Sequence, residues 1–540
     1  MQKKNAFHDS MPPLKRQRRF GLQDLSGIGC VSDTALSQIL AALQDAGELN
    51  SGTFSHASAR TIARNAITFI QQKTLYGPPI QTLSLPTKCG EMKLEYGHPP
   101  AMLSFLVNES PALADVLFEA HTKRASSPQC PWHLVWYEDE STPGNILSLD
   151  TALKSALIYW SFRELGFEAL SQKCCWFLGG LLRTSKVGKV EGGMTCIFGK
   201  HLATFFGEEH NLARTGFTVH AADGRVATIF AVLGTTVGDE AALKQLWAVK
   251  GAAGMRPCIL CRNLISERAG LDLGPGNRLV DTTCSKLSSF EPHTDDTIWE
   301  CARRVSSPLL SRNGRERLTT LLGVNCVPNS ILCNELMKPH AKPATTFMVD
   351  PSHTMFVNGV FQTEMTLFID AVKNTFGLNM YETMQKYVEQ WTCPKHVGNR
   401  TGDIVFAQSR AGDGTFKSGA SHCFALYGII REWVRRVLPE GVLVPEKKSL
   451  LAMFRVVGAY LTIQARREPP DFQKRCEDFH QAHQEAYPYD IMKPKHHYML
   501  HLADLRRRHG DIYSCLAHER KHKTFKRYAS MTTQLQNDDA

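Results

Sequence analysis

The chain has 540 residues, of which 43% are hydrophobic and 21% are charged, and its formal net charge is +10. This length exceeds one ordinary hydrophobic core, so we expect two to four domains with a substantial buried interior. No run approaches the roughly 18 consecutive apolar residues that span a bilayer, so we expect no membrane partner. The sixteen cysteines lack the spacing of a disulfide scaffold, which favours a reducing compartment.

Residues 1–32 are predicted to form a basic, disordered tail. They lack the apolar core of a secretory signal. Behind a pair of prolines stand four basic residues, Lys15, Arg16, Arg18 and Arg19. Such a cluster is typical of a nuclear import signal or a polyanion contact, and a solvated tail explains it equally well. We therefore expect the nucleus as the location.

Residues 33–125 are predicted to form a helical N-terminal region. The segment SDTALSQILAALQDAG places apolar side chains at three- and four-residue spacing after a cap at Ser32 or Asp33, so two helices are expected over 33–75. The stretch 78–125 is mixed and interrupted by proline. Only one helix is predicted there, around 111–121, and the rest is interpreted as a linker.

Residues 126–255 have an α/β pattern. HLVWYED predicts a short buried strand that ends on acids, TPGN predicts a turn, and further strands are expected near 155–162 and 174–182. GMTCIFGKHLATFFGEE predicts a helix. FTVHAADGRVATIFAVLGTTVGDE predicts a strand, a turn and a strand ending at Asp239, and AALKQLWAVKG predicts the next helix.

Residues 256–490 carry cysteines and histidines and are predicted to be mainly helical towards their end. The clearest helical patterns there are SGASHCFALYGIIREWVRRVL and KSLLAMFRVVGAYLTIQARRE. Residues 491–528 form a basic final segment, and 529–540 are predicted to be a tail.

The final segment contains the pattern HExxH, from His518 through Glu519 to His522. In zinc metalloproteases this pattern places two histidine ligands one helical turn apart, with the glutamate polarising a water. The two middle positions here are basic, and no further His or Glu follows His522, so the third ligand of a catalytic zinc is missing. A surface helix with an i,i+4 pair between Glu519 and Lys523 is an alternative interpretation.

Three acids form a different candidate site. Asp139 and Asp239 each end a predicted strand, and Glu519 lies on a predicted helix. Two acids at neighbouring strand ends, joined by one from a helix, would make an oxygen-rich site suited to Mg²⁺ or Mn²⁺. Two such ions can activate an attacking oxygen and stabilise a leaving oxygen in phosphodiester displacement. Glu138 or Glu140 could replace Asp139 as the first acid.

Five segments together resemble the transposases of cut-and-paste DNA elements, with a pattern related to the CACTA, Plavaka and hAT groups. They are YEDESTPGN with LIYWSFRELG, VGDEAALKQLWAVKGAAGMRPCILCRN, VDPSHTMFVNGVF, MKPKHHYMLHL and HERKHKTFKRY. The resemblance covers roughly residues 130–528. It implies an RNase H-like α/β core interrupted by a large, mainly helical insertion, and a DDE triad of Asp139, Asp239 and Glu519. The implied chemistry is hydrolysis at a transposon end, followed by attack of the freed 3′ hydroxyl on target DNA.

In those families a CxxC pair and later a histidine follow the second acid, and this chain has Cys258, Cys261 and His353 in that order. A CxxC pair can hold one tetrahedral Zn²⁺ but needs two more ligands. His353 is one candidate, and an ordinary hydrogen-bonded histidine is the alternative. The sequence does not distinguish among the candidates for the fourth ligand, Asp350, Cys284 and His293, and a zinc-free role for the cysteines stays open.

The last segment has ten Lys and Arg residues against three acids between positions 493 and 527. Such an excess suits contacts with DNA phosphates. The predicted DNA-binding residues are Lys493, Lys495, Arg506, Arg507, Arg508, Arg520, Lys521, Lys523, Lys526 and Arg527.

HHYMLHLADLRRRHG, within this segment, is equally explained by an amphipathic helix that buries Tyr498, Leu500 and Leu502. The leading hypothesis is an Mg²⁺-dependent DDE transposase-like protein that acts on DNA. A homo-oligomer is compatible with that role. The rival is a catalytically inactive, domesticated derivative that only binds DNA.

Overall fold

The computed structural model describes residues 73–141, 154–269, 278–392, 405–406, 415–469, 471–490, 492–518 and 521–522. The predicted tails, nearly all of the two helices predicted over 33–75, the TPGN turn and Glu519 lie outside these residues.

The described residues form a mixed α/β structure, as the sequence predicted. The strands are β1 (Ile80–Thr87), β2 (Gly90–Gly97), β3 (Trp132–Ser141), β4 (Ser155–Phe162), β5 (Phe177–Arg183), β6 (Phe217–His220), β7 (Val226–Ile229), β8 (Ala231–Gly238), β9 (Leu264–Ile265), β10 (Val280–Asp281) and β11 (Phe347–Val349). The α-helices are α1 (Pro99–Glu109), α2 (Pro111–Lys123), α3 (Gly166–Leu170), α4 (Thr184–Val187), α5 (Met194–Phe206), α6 (Glu240–Leu246), α7 (Asp295–Val305), α8 (Arg312–Leu322), α9 (Pro343–Thr346), α10 (Pro351–Met355), α11 (Val360–Phe376), α12 (Met380–Val388), α13 (Ala420–Arg436), α14 (Val444–Gln464), α15 (Phe472–Ala486) and α16 (Pro494–His509).

One seven-stranded sheet organises the chain, in the order β1-β2-β5-β4-β3-β8-β11. The neighbours from β1 to β3 pair antiparallel, whereas β8 pairs parallel with β3 and β11 pairs parallel with β8. The carboxyl ends of β3, β8 and β11 therefore meet at one edge of the sheet.

The central strands are buried on both faces, which explains their nearly continuous apolar sequence. All eight residues of β4 are buried. On one face Trp136 packs against Phe198 of α5, with ring centroids 4.6 Å apart. On the other face Tyr137 stacks with Tyr159, its cross-strand partner on β4, at 6.3 Å.

Most elements predicted between 130 and 251 are present. The strand at 155–162 and the helix around 193–209 are confirmed as β4 and α5. β5 begins later than predicted because Lys173–Cys175 form a 3₁₀ turn. The predicted strand, turn and strand divide into the separate hairpin of β6 and β7, followed by β8.

The segment interpreted as a linker contains structure that the sequence analysis missed. Residues 80–97 form the β1–β2 hairpin, and α1 precedes the predicted α2. The hairpin turn uses Gly90, whose φ of 122° is accessible to glycine without strain. No single helix in the described part of the chain has the length and hydropathy to cross a bilayer; α1 and α2 pass that test only as a pair bent by 112°.

The segment 256–490 includes both helices and part of the sheet. The helices predicted around 418–438 and 448–468 are confirmed as α13 and α14. Residues Phe347–Val349, in the middle of this segment, form β11 at the edge of the main sheet. The chain therefore leaves the sheet after β8, returns for one short strand, and leaves again before its last helix.

A buried ion pair joins α11 to α15. His483 Nδ1 lies 2.7 Å from Oε2 of Glu364, and both side chains are 0% exposed. Nε2 of His483 lies 3.4 Å from Asp490. Burial opposes the charged ring, but the hydrogen bonds to Asp490 and Glu364 prevail and raise the pKa of His483 to about 9. The neighbouring His480 and His496 have pKa values lowered by burial and stay neutral.

The ion pair of His483 and Glu364 predicts that the stability of the protein depends on pH. The folded pKa of His483 lies above its unfolded value near 6.5, so the pair stabilises the protein fully below pH 6.5 and progressively less up to pH 9. We expect His483→Gln to lower the free energy of unfolding by about 3–5 kcal/mol at pH 6, because Glu364 is left buried without its cation. Urea unfolding at pH 6 and pH 9 measures this. If the free energy of unfolding changed equally between pH 6 and pH 9 in wild type and in His483→Gln, the assignment of the raised pKa to His483 would be contradicted.

Candidate functional site

Two of the predicted acids lie side by side at the carboxyl edge of the sheet. β3 and β8 pair in parallel with Tyr137 opposite Val237, and Asp139 and Asp239 each follow two residues later. Asp239 is the N-cap of α6, and its Oδ1 accepts a hydrogen bond from the amide of Ala242 at 2.7 Å. Both acids are partly exposed. The structure thus brings together the first and second acids of the predicted triad.

Of the consecutive acids on β3, Asp139 is best placed to bind a ligand. It shares a face of the strand with Tyr137, whose hydroxyl donates to Oδ2 of Asp139 at 2.9 Å. Glu138 is buried on the other face, where burial and then the adjacent carboxylates of Asp139 and Glu140 raise its pKa well above the usual range. Glu140 forms an ion pair with Lys154. Glu138 therefore lies inside the protein on the opposite face of β3, and Glu140 is paired with a cation.

A further carboxylate, which the sequence analysis did not place here, follows β11. Val349 pairs with Gly238, and Asp350 comes next, its amide donating to the carbonyl of Gly238 at 2.9 Å. The Asp350 side chain is 0% exposed. Its Oδ2 accepts from the amide and Nδ1 of His353 at 2.8 and 2.7 Å and from the thiol of Cys515 at 3.0 Å, and its Oδ1 accepts from the amide of Cys515 at 3.0 Å.

These contacts set the charges of Asp350 and His353. Burial raises the pKa of Asp350, but the hydrogen bond and charge of His353 outweigh it, so the pKa lies below its usual range. Burial also opposes the charge on His353, yet Asp350 and then the charges of Asp139 and Asp239 raise its pKa to about 9. His353 is therefore a cation at neutral pH, within electrostatic reach of both predicted acids.

The residues that flank Glu519 pack against the same face of β3 as Asp139. His518 stacks on Tyr137 with ring centroids 3.6 Å apart, and it meets the ring of Trp176 at 4.0 Å. His518 and His522 are each only 1% exposed.

The zinc-protease interpretation of HExxH finds no support in this packing. In the part of the chain that the structure describes, no group of candidate metal ligands includes His518 or His522. A catalytic zinc needs a position open to water, whereas these two rings are packed against aromatic side chains. The alternative ion pair of Glu519 with Lys523 lies outside the described residues.

A buried group of two cysteines and two histidines could hold a metal ion. Cys258 and Cys261 come from the CxxC pattern, and His497 and His501 stand one turn apart on α16. The Cys261 sulfur lies 3.4 Å from Nε2 of His497 and 3.2 Å from Nε2 of His501. The Cys258 sulfur lies 3.7 Å from Nε2 of His501, and the two Nε2 atoms are 2.9 Å apart.

Burial and the Cys258 thiol raise the pKa of Cys261, whereas the pKa shifts of Cys258 and His497 favour the forms that bind metal ions. Burial opposes ionisation of Cys258, but the hydrogen bond from Cys261 and the contacts with the imidazoles prevail and lower its pKa well below the usual range. Burial lowers the pKa of His497 and keeps its ring neutral. A thiolate and a neutral imidazole are the forms that bind metal ions.

The geometry corrects the predicted ligand set. His353 does not reach the two cysteines, because it lies at the sheet edge with its Nδ1 bonded to Asp350. Asp350, Cys284 and His293, the candidates for the fourth ligand, are also absent from the cysteine group. His293 instead bonds Thr297 at 2.9 Å.

The sequence contained a signal for the true partners. His497 and His501 are four residues apart in HHYMLH, a spacing that places both on one face of a helix. The sequence analysis gave two interpretations of that stretch, a surface that contacts the DNA backbone and an amphipathic helix. The second interpretation is confirmed in part, since Tyr498, Leu500 and Leu502 are buried.

The predicted DNA-binding residues on α16 make contacts within the chain. Lys493 donates to the Thr363 hydroxyl and Lys495 to the carbonyls of Val357 and Asn358, Arg506 pairs with Glu468, and Arg507 and Arg508 pair with Asp504. Lys521 donates to the carbonyl of Lys173 at 3.3 Å. Arg520, Lys523, Lys526 and Arg527 lie outside the described residues. Of the described residues in this set, Lys493, Arg507 and Arg508 are exposed, and the side chain of Arg507 is 72% exposed.

No family model matches the chain, and no curated protein matches it significantly. The resemblance to transposases therefore depends on the quoted motifs.

The packing of His518 gives a testable consequence. We expect His518→Ala to destabilise the protein by about 2–4 kcal/mol, because it empties the space between Tyr137 and Trp176. We expect the metal content of the purified protein to stay unchanged. Urea unfolding and elemental analysis measure the two quantities; a loss of bound zinc with little change in stability would instead identify His518 as a ligand.

Proposed function

We propose that the protein is a DDE transposase-like enzyme that cleaves and transfers DNA strands with Mg²⁺ or Mn²⁺, acting in the nucleus. The observation that carries the proposal is the position of Asp139 and Asp239 at the carboxyl ends of adjacent parallel strands. His518, the residue before the third predicted acid, is stacked on the face of β3 that carries Asp139. This supports Glu519 as the third acid of the same site.

The strand order supports an RNase H-like core. Three consecutive antiparallel strands, β3, β4 and β5, are followed after α5 by β8 and β11, which run parallel to β3. The order β5-β4-β3-β8-β11, with three antiparallel strands beside two parallel ones, agrees with the RNase H-like core that the resemblance implies. The chain between β8 and the last acid then corresponds to the insertion that the resemblance implies, with β11 returning to the core.

The two acids fit a hard divalent cation. Mg²⁺ and Mn²⁺ prefer carboxylate oxygens and complete their coordination with waters and phosphate oxygens. The Tyr137 hydroxyl orients Asp139, and the first turn of α6 orients Asp239, so both carboxylates are held in place by the protein. Bound ions would supply activation of the attacking oxygen and stabilisation of the leaving oxygen.

A nicking assay on supercoiled plasmid with Mg²⁺ or Mn²⁺ tests the proposal. We expect Asp239→Asn to lower the nicking rate at least about 100-fold, because it removes a ligand charge while asparagine still caps α6. Asp223→Asn, in the exposed turn between β6 and β7, is the control and should keep full activity. Equal rates for wild type and Asp239→Asn would end the catalytic proposal. DNA binding without nicking by wild type would favour the inactive derivative.

We propose that Cys258, Cys261, His497 and His501 hold one structural Zn²⁺. A tetrahedral zinc with bonds of about 2.0–2.3 Å separates its ligand atoms by roughly 3.3–3.8 Å. The observed separations of 2.9–3.7 Å agree with this within a few tenths of an ångström. Four buried protein ligands leave no open position, which is typical of a structural site rather than a catalytic one.

The zinc proposal predicts one equivalent of zinc per chain. We expect Cys261→Ser to lose this zinc and to unfold at lower urea concentration, because binding free energy is also folding free energy. Cys284→Ser, outside the group, is the matched control and should retain zinc. Elemental analysis and urea unfolding measure both. Retention of a full equivalent of zinc by Cys261→Ser would contradict the assignment.

A further inference from the structure

One ring nitrogen of His353 is available at the sheet edge. Its Nδ1 lies 2.7 Å from Oδ2 of Asp350 and 3.4 Å from the sulfur of Cys515. A Cys–His–Asp nucleophile would need the thiol and the carboxylate on opposite ring nitrogens, so the shared Nδ1 argues against thiol catalysis. Nε2 makes no hydrogen bond to any described residue, and the side chain is 19% exposed.

The fold places His353 next to the strand end that carries Asp239. His353 lies on α10, which begins directly after β11, and β11 pairs with β8, the strand that ends at Asp239. A fixed N–H donor beside two metal-binding carboxylates can reach the group that such metals bind, which is a phosphodiester. Hydrogen bonds from charged donors to phosphate oxygens are strong, and they are strongest where negative charge develops in the transition state.

We propose that His353 is a further catalytic residue, whose Nε2–H donates to a non-bridging oxygen of the scissile phosphodiester, and that Asp350 is the positioning residue that holds the ring. This inference rests on the proposed function. No bond to His353 forms or breaks, because the ring only binds and stabilises the phosphoryl oxygens. Asp350 also accepts from the amide of Cys515. One carboxylate thus orients both the histidine and the start of the segment that leads to Glu519.

Hydrolysis of bis(p-nitrophenyl) phosphate with Mn²⁺ tests the role of His353. We expect His353→Gln to lower kcat/KM about 10- to 100-fold while Mn²⁺ affinity, measured by electron paramagnetic resonance without substrate, stays within about twofold of wild type. The dissociation constant of the same diester, measured calorimetrically with Ca²⁺ in place of Mn²⁺, should rise about 3- to 10-fold. His220→Gln, an exposed histidine on β6, is the control and should match wild type.

Asp350→Asn tests the positioning role. We expect a loss of kcat/KM similar to that of His353→Gln, and no further loss in the double variant, because both changes remove the same contact. Additive losses would overturn the role of Asp350. If Asp350→Asn fails to fold, the role is tested with Asp350→Glu, which keeps the charge but moves it by one methylene, and unchanged kinetics there would overturn it.

The outcomes separate this inference from the proposed function. Wild-type rates in His353→Gln, together with an inactive Asp239→Asn, would overturn the inference and leave the proposed function standing. A tenfold or greater loss of Mn²⁺ affinity in His353→Gln would identify the histidine as a metal ligand and would also overturn it. Absence of metal-dependent hydrolysis in wild type, with no difference from Asp239→Asn, would overturn both.

Discussion

Parallel pairing of β3 with β8, and of β8 with β11, is the constraint on which the candidate site depends. Parallel neighbours deliver their carboxyl ends to one edge of a sheet, so residues far apart in sequence meet there. The pairing also has a register shift: Leu134 pairs with Leu233, but Val135 pairs with Thr235, which leaves Gly234 unpaired. A side chain at Gly234 would collide with His133, with a Cβ–Cβ distance of only 2.4 Å.

This bulge aligns the acids. Without the extra residue, Asp139 would be in register with Gly238 instead of Asp239. Every side chain of β8 beyond the shift would then lie on the opposite face of the sheet relative to its partner on β3. With it, Asp139 and Asp239 follow the last pair together. The absence of a side chain at Gly234 therefore contributes to the alignment of Asp139 and Asp239 at the strand ends.

The second requirement is that the chain return to this edge after a long excursion. Residues 256–490 carry most of the helices among the described residues, and the entropic cost of closing such a loop must be met by contacts at its base. The group of Cys258, Cys261, His497 and His501 lies at that base, since it joins residues shortly after Asp239 to residues shortly before Glu519. Asp350 provides a second closure by binding the amide of Cys515 at the sheet edge.

Local patterns were sufficient to predict β3, β4, α5 and α14, because each has a continuous apolar run or a clear helical period. They also placed Asp139 and Asp239 at predicted strand ends, but the resemblance, rather than the residue pattern alone, selected these acids as catalytic candidates. The metal group was predicted only in half: CxxC is a local pattern, whereas the partners of the cysteines lie more than 230 residues away, and only the fold distinguishes His497 and His501 from His353. β11 was missed because three residues are too short for a period of two to be recognised.

The three acids at the sheet edge differ in exposure, and this difference separates their chemistry. Asp350 is completely buried and accepts four hydrogen bonds, so its charge is used to orient His353 and Cys515. Asp139 and Asp239 are partly exposed, and each uses its protein hydrogen bonds for orientation at the strand end. Like charges at neighbouring strand ends repel one another unless cations intervene. His353 supplies one cation beside these acids, and under the proposed function divalent metal ions balance the remaining negative charge.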